Sequence, residues 1–116
     1  MKTKCRRKEK VLFIHGDKLP SKENLKKANI IIIGHEHPAV SIKDGLKAET
    51  YKCFLKGKFE GKELIALPSM NSSSLGSDLT KEEILSPLLK KGNLDEFEVY
   101  AVEDEVYIMG KLGKLL

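Results

Sequence analysis

The chain has 116 residues, of which 41% are hydrophobic and 33% charged, with four Phe, three Tyr and no Trp. This length suits one domain, and the recurring blocks of Leu, Ile and Val exclude a wholly disordered chain. The longest apolar runs, Val11–Ile14 and Ile30–Ile33, are far shorter than the roughly 20 residues that cross a bilayer or the about 7–15 of a signal-peptide core. We therefore expect a cytoplasmic protein with no membrane partner.

Positive charge is concentrated in the first half of the chain. Residues 1–58 carry 15 Lys and Arg against 6 Asp and Glu, whereas residues 59–116 carry 6 against 11. A basic arm is attracted to phosphate backbones, because each neutralised phosphate releases a counterion. Chain ends are also commonly solvated and poorly ordered. We expect the latter for the basic terminus, residues 1–10, because no aromatic residues interleave there for base stacking.

The next 28 residues predict a β-α-β unit. Val11–Ile14 predicts a buried strand that ends in a loop. Ser21 predicts the N-cap of a short helix. Two apolar residues at the end of this helix are expected to face the core: Leu25 and Ala28. Ile30–Ile33 is β-branched throughout and predicts a second buried strand, which ends at the turn Gly34–Pro38. Such a unit implies parallel strands covered by a helix.

The rest of the sequence, from Ala39 onward, predicts antiparallel strand pairs. Five further strands are expected: Ala39–Lys43, Thr50–Lys58, Glu63–Leu67, Phe97–Val102 and Val106–Leu112. Turns at Glu60-Gly61 and Glu103-Asp104 join the last four into two hairpins, in which Cys53 is a small apolar strand residue. The sequence thus predicts an α/β (α+β) fold, a β-α-β unit leading into a mostly antiparallel sheet with one or two short helices.

Two polar segments separate these hairpins. Ser69–Ser77 predicts a loop that either contacts a phosphate backbone, with Asn71 as one contact, or is only a connector. Thr80–Glu83 predicts the capping box of a short helix through Leu85, which Pro87 interrupts.

All three histidines of the chain directly follow predicted strands. His15 follows the first strand, and His35 and His37 follow the second. Open α/β sheets bind ligands at the carboxyl ends of parallel strands, so we expect the three imidazoles to meet at one edge. In an extended backbone, residues two apart project from the same side about 6–7 Å apart, which suits one metal ion or a pair. A single loop histidine is usually only polar, but three beside Gly16 and Gly34 favour a metal site.

At these residues the sequence resembles the calcineurin-like metallophosphoesterases. In that family an apolar strand ends in a ligand His followed by Gly, as in Val11–Gly16, and a later strand ends in GHxH, as in Gly34–His37. The continuation through Leu67–Asn71, Ser86-Pro87 and the closing hairpin is similar to the archaeal, SbcD-related nuclease-like branch. The resemblance extends from about Val11 to Leu112.

The resemblance implies a partial metallophosphoesterase sandwich and a metal-dependent phosphodiesterase or nuclease-like hydrolase. By analogy, His15 and His35 ligate one metal ion of a pair and His37 the other. Mn is the metal expected from the family, and Zn, Fe or Ni would also suit imidazole. Glu36, between the two later histidines, is expected to be a solvated spacer.

Three motifs of that family are absent from the sequence: DxH, a GD that precedes the first histidine, and GNHD. Gly16-Asp17 follows the histidine and does not replace the GD motif. Residues 11–116 therefore resemble the C-terminal portion of such a domain, without its carboxylate ligands. Three neutral imidazoles cannot offset the charge of two divalent ions, so we expect the isolated chain to be inactive. Its expected partner is a complementary N-terminal half, or a second copy, with nucleic acid or another phosphodiester as substrate.

Two other functions remain open on the sequence. A single zinc ion could be held by the three histidines with water in the fourth position; one tightly held zinc per chain would favour this. A nucleic-acid-binding module without catalysis could use the basic terminus; a steep salt dependence of binding, lost on deleting residues 1–10, would favour that. Without the missing half, Val11–Ile14 and Ile30–Ile33 are also expected to lack neighbouring strands and to leave an apolar sheet edge open.

Overall fold

The computed structural model describes residues 10–34, 36–69, 76–79, 84 and 86–115. These residues form eight strands and two short α-helices, in the order β1 (Val11–Ile14), α1 (Lys22–Lys27), β2 (Ile30–Ile33), β3 (Pro38–Asp44), β4 (Lys47–Phe59), β5 (Lys62–Ala66), β6 (Ser77–Asp78), α2 (Pro87–Lys91), β7 (Glu98–Val102) and β8 (Val106–Lys111). Single 3-10 turns occupy Leu94–Glu96 and Leu112–Lys114. Within the described ranges, no helix is long and apolar enough to cross a membrane. The predicted α+β fold class is confirmed.

All eight strands join one sheet, organised around the long strand β4. β1, β2 and β5 are parallel neighbours, and β4 is antiparallel to β3, β5 and β7. Leu55 pairs with Ala66 of β5 and with Val99 of β7, so those two strands lie on opposite edges of β4. The predicted β-α-β unit and both predicted hairpins, β4–β5 and β7–β8, are confirmed.

Helix α1 forms where the sequence predicts it. The Ser21 hydroxyl caps the helix by accepting a hydrogen bond from the backbone N–H of Asn24 at 3.2 Å. Leu25 packs on the core and Ala28 is buried, as expected. Lys10 is held beside this segment, because its backbone N–H donates to the Asn29 side chain at 3.1 Å. Residues 1–9 lie outside the described part of the chain.

Helix α2 begins at Pro87, its first position, where the sequence predicts only the end of the preceding helix. Proline suits that position, since its fixed φ is helical and its missing N–H has no helical partner there. Leu88 and Leu89 are fully buried and anchor the helix in the core. The helix predicted from the capping box falls on residues 80–83 and 85, outside the described residues.

The two faces of the sheet differ in burial. One face forms the core, to which both helices contribute; its strand residues include Ile31, Ile33, Val40, Cys53, Leu55, Leu64 and Val99. Since directly paired residues share a face, Phe13, Ile32 and Ile65 form a row on the opposite face. Phe13 is 69% exposed, and the other two are half-buried.

The prediction that Val11–Ile14 is buried is therefore wrong for half of its side chains. Val11 is 43% and Phe13 69% exposed, whereas Leu12 and Ile14 pack on the core. The reason is the position of β1, which has β2 as its single partner among the described strands. The expected apolar edge is found at β1 among the described strands, whereas β2 lies between β1 and β5, so the expectation that Ile30–Ile33 lacks neighbouring strands is wrong.

Cys53 is fully buried in β4, as the sequence predicts. Burial, together with the charge of nearby Asp78, raises the pKa of its thiol to about 12. Asp78 accepts a hydrogen bond from the Ser41 hydroxyl, which ties β6 to β3. Ser77, predicted as the end of a polar loop, belongs to β6. Asn71 lies outside the described residues.

Candidate metal centre

The loops that follow β1 and β2 are neighbours at one edge of the sheet. Directly after the last parallel pair, Ile14 with Ile33, the backbone N–H of Gly34 donates to the carbonyl oxygen of His15 at 3.1 Å. His15 thus lies beside the residue that precedes His35. His35 itself is outside the described residues.

The side chains of the two described histidines, His15 and His37, are exposed at this edge. His37 has a φ of +48°, so the backbone there is left-handed and not extended. The spacing argument for His35 and His37, which assumed an extended backbone, therefore does not apply. Among the residues that the structure describes, no three His, Cys, Asp or Glu side chains form a metal-binding group. The proposed ligand set His15, His35 and His37 stays a prediction.

Glycines at two positions shape the backbone of the histidine loops. Gly16 is buried and has a φ of +99°, a conformation that side chains with a Cβ rarely adopt. Gly76, with a φ of +87°, packs directly on His37: a Cβ there would overlap the His37 carbonyl oxygen and lie 3.1 Å from the His37 Cβ. A Cβ added at Gly34 would meet no described atom within 4 Å, so packing in the described structure does not require a glycine there.

Glu36 is buried, which corrects its prediction as a solvated spacer. Its side chain is 1% exposed, and its Oε1 accepts a hydrogen bond from the backbone N–H of Ser86 at 2.8 Å. The buried backbone N–H of Ser86 is the partner that this carboxyl group needs away from water. A carboxyl oxygen that accepts a backbone N–H in a buried setting is a strong structural contact.

Ser86 connects both histidine loops. Besides donating its N–H to Glu36, it donates its hydroxyl to the carbonyl oxygen of Gly16 at 2.8 Å. Ser86 is fully buried. Its partners lie 50 and 70 positions away along the chain, so no local pattern in the sequence predicts these contacts. The one available signal is the Ser86-Pro87 pair, which marks a helix start.

A cavity of about 490 Å³ lies elsewhere, between α1 and the β4–β5 turn. Phe59, Glu60 and Lys62 line it at the amino end of β5, whereas the histidine loops follow the carboxyl ends of β1 and β2. The described histidines do not line this cavity. The candidate site is thus an open edge of the sheet.

Comparison with protein-family models, with curated proteins and with solved structures finds no match to this chain. The likeness to calcineurin-like metallophosphoesterases therefore rests on the motifs of the sequence alone.

Proposed function

We propose that this chain forms the C-terminal half of a metal-dependent phosphodiesterase site, to which His15, His35 and His37 contribute imidazole ligands. The observation that carries the proposal is the hydrogen bond between Gly34 and His15, because it joins the two histidine-bearing loops at the carboxyl edge of parallel strands. Ligand sites of open α/β sheets lie at this kind of edge.

The donor chemistry of the edge fits divalent transition metals. Imidazole nitrogens bind Zn, Fe and Ni, and also Mn where carboxylates share the site. The side chains of His15 and His37 are exposed to solvent. When bound, a metal pair supplies a hydroxide nucleophile at neutral pH and polarises the phosphoryl oxygens. The three imidazoles act as uncharged ligands. Carboxylates from a complementary segment would balance the positive charge of the metal ions. Glu36 is not among the proposed ligands, because its carboxyl is buried against Ser86.

The outer face of the parallel strands, opposite the core, has exposed apolar side chains that support the proposal of a partner. Val11, Phe13, Ile30, Ile32 and Ile65 leave most of this face apolar and partly exposed, with Glu63 beside Ile30. Parallel sheets in α/β proteins are normally covered on both faces, and apolar patches of this kind mark interaction surfaces. A segment that carries the DxH, GD and GNHD motifs would cover this face and supply the carboxylates.

Reconstitution tests the proposal. The chain alone is expected to show no Mn²⁺-dependent hydrolysis of bis(p-nitrophenyl) phosphate. Mixed with a polypeptide that carries the DxH, GD and GNHD motifs, it is expected to gain this activity. His35→Ala should abolish the gained activity, whereas Ser21→Ala, a change at the helix cap of α1, should leave it intact.

Three outcomes would contradict the proposal. Activity of the chain alone would show that no complementary half is needed. Activity of the mixture that survives His35→Ala would exclude the histidine edge as the source of ligands. Covering of the outer face by a second copy of the chain, seen as a stable dimer that excludes the complementary half, would favour a homo-oligomer.

A further inference from the structure

The residues that hold the two histidine loops in place come from a third part of the chain. Ser86 stands at the N-cap position of α2 but makes no side-chain capping bond. An N-cap hydroxyl normally accepts a helix N–H and contributes about 0.5–2 kcal/mol. In Ser86 the hydroxyl instead donates to Gly16, and the backbone N–H donates to Glu36. Both of its donors are thus committed to the histidine loops.

The position of Ser86 is fixed by the helix that follows it. Pro87 restricts the backbone, Leu88 and Leu89 are fully buried, and the N–H of Lys90 donates to the Ser86 carbonyl at 3.0 Å. Ser86 is therefore attached to the core on one side and to both loops on the other. Because these hydrogen bonds are buried, breaking one leaves a donor or acceptor without water to replace its partner.

We propose that Glu36 and Ser86 are positioning residues. The two buried hydrogen bonds that link Glu36 to Ser86 and Ser86 to Gly16 fix the loop of His15 relative to the loop of His35 and His37. The effect of this arrangement on metal binding rests on the proposed function, whereas its effect on the loops does not. Groups that hydrogen-bond a metal ligand directly typically change metal affinity by about 10–100-fold when they are removed. Glu36 and Ser86 act on the loops and not on the imidazoles, so we expect the lower end of that range, about tenfold.

Four variants test the inference. Ser86→Ala removes the hydroxyl donor, and Glu36→Leu removes the acceptor of the Ser86 N–H. Glu36→Gln keeps an oxygen that can accept the same bond, so it should behave like the wild type. Ser21→Ala is the matched control, since it changes an N-cap serine that contacts neither histidine loop.

Two measurements are made on each variant. In the metal-free chain, the imidazole Hε1 signals of His15 and His37 should shift in Ser86→Ala and Glu36→Leu and stay in place in Glu36→Gln and Ser21→Ala. Zn²⁺ affinity, measured by competition with a chelating dye, should fall about tenfold in the first pair only. Circular dichroism checks that each variant is folded. If Glu36→Leu does not fold, the inference is tested on Ser86→Ala, which is the smaller change.

The outcomes separate this inference from the proposed function. Unchanged histidine signals in Ser86→Ala would overturn the inference, even if the wild type binds Zn²⁺ through its histidines. Shifted signals in a chain whose wild type binds no metal would support the positioning role and count against the proposed function. Signals that shift without any change in Zn²⁺ affinity would support the role of these bonds in fixing the loops and would overturn their role in metal binding.

Discussion

Substitution of Gly76 by Ala should both destabilise the protein and displace His37. The added Cβ would overlap the His37 carbonyl oxygen and lie 3.0 Å from the carbonyl carbon. Both atoms belong to the backbone, so the contact cannot be relieved by a side-chain rotation. The left-handed backbone costs Ala about 1–2 kcal/mol, and forced overpacking costs about 1–3 kcal/mol more. We expect a loss of about 2–5 kcal/mol in the free energy of unfolding.

Gly61→Ala is the matched control for this prediction. Gly61 has a φ of +81°, close to the +87° of Gly76, but a Cβ there meets no described atom within 4 Å. Its substitution should therefore lower the free energy of unfolding only by the cost of placing Ala in a left-handed backbone, about 1–2 kcal/mol. Urea unfolding followed by circular dichroism gives both values, and the His37 imidazole signal should shift in Gly76→Ala alone. Equal losses in the two variants, with the His37 signal unmoved, would refute the packing of Gly76 on His37.

Three further predictions concern the core and the open edge. Gly57→Ala should lower the free energy of unfolding by about 1–3 kcal/mol, because its Cβ would overlap the ring of a buried phenylalanine, whereas Gly34→Ala should change it by less than about 0.5 kcal/mol; equal effects in urea unfolding would contradict this. Since the pKa of Cys53 is raised from 9.0 to about 12, only the unfolded thiol ionises between those values, and stability should fall with rising pH there. Cys53→Ala should remove that part of the decline, and unchanged pH dependence in this variant would argue against the raised pKa. Phe13→Thr should leave stability within about 0.5 kcal/mol, because the side chain is 69% exposed, but should weaken activity on reconstitution; unchanged activity would exclude Phe13 from the partner surface.

Local patterns in the sequence predict most of the fold. Ser21 caps its helix three residues ahead, the four β-branched residues Ile30–Ile33 form a strand, and the turn at Glu60-Gly61 joins adjacent strands. Each of these features depends on neighbours in the chain. Burial of Val11–Ile14 could not be read in the same way, because an apolar strand looks the same in the sequence whether or not a partner covers its outer face.

The supporting contacts of the candidate site could not be predicted locally. The positions of His15 and the Gly34–His37 turn follow from the strands that precede them. The burial of Glu36 depends on Ser86, 50 positions later, and the left-handed backbone at His37 is packed against Gly76. A residue between two histidines has no sequence pattern that separates a solvated spacer from a buried acceptor. Contacts of this kind appear only when distant segments are brought together.

Paramagnetic broadening of the histidine signals by Mn²⁺ tests the central claim most directly. The chain has three histidines, so three Hε1 signals are expected, and single substitutions to Ala assign them. If His15, His35 and His37 converge at one edge of the sheet, substoichiometric Mn²⁺ should broaden all three signals together, and His15→Ala should weaken the effect on the other two. Broadening of the His35 and His37 signals that leaves His15 sharp, or broadening of His15 alone, would contradict a shared metal site.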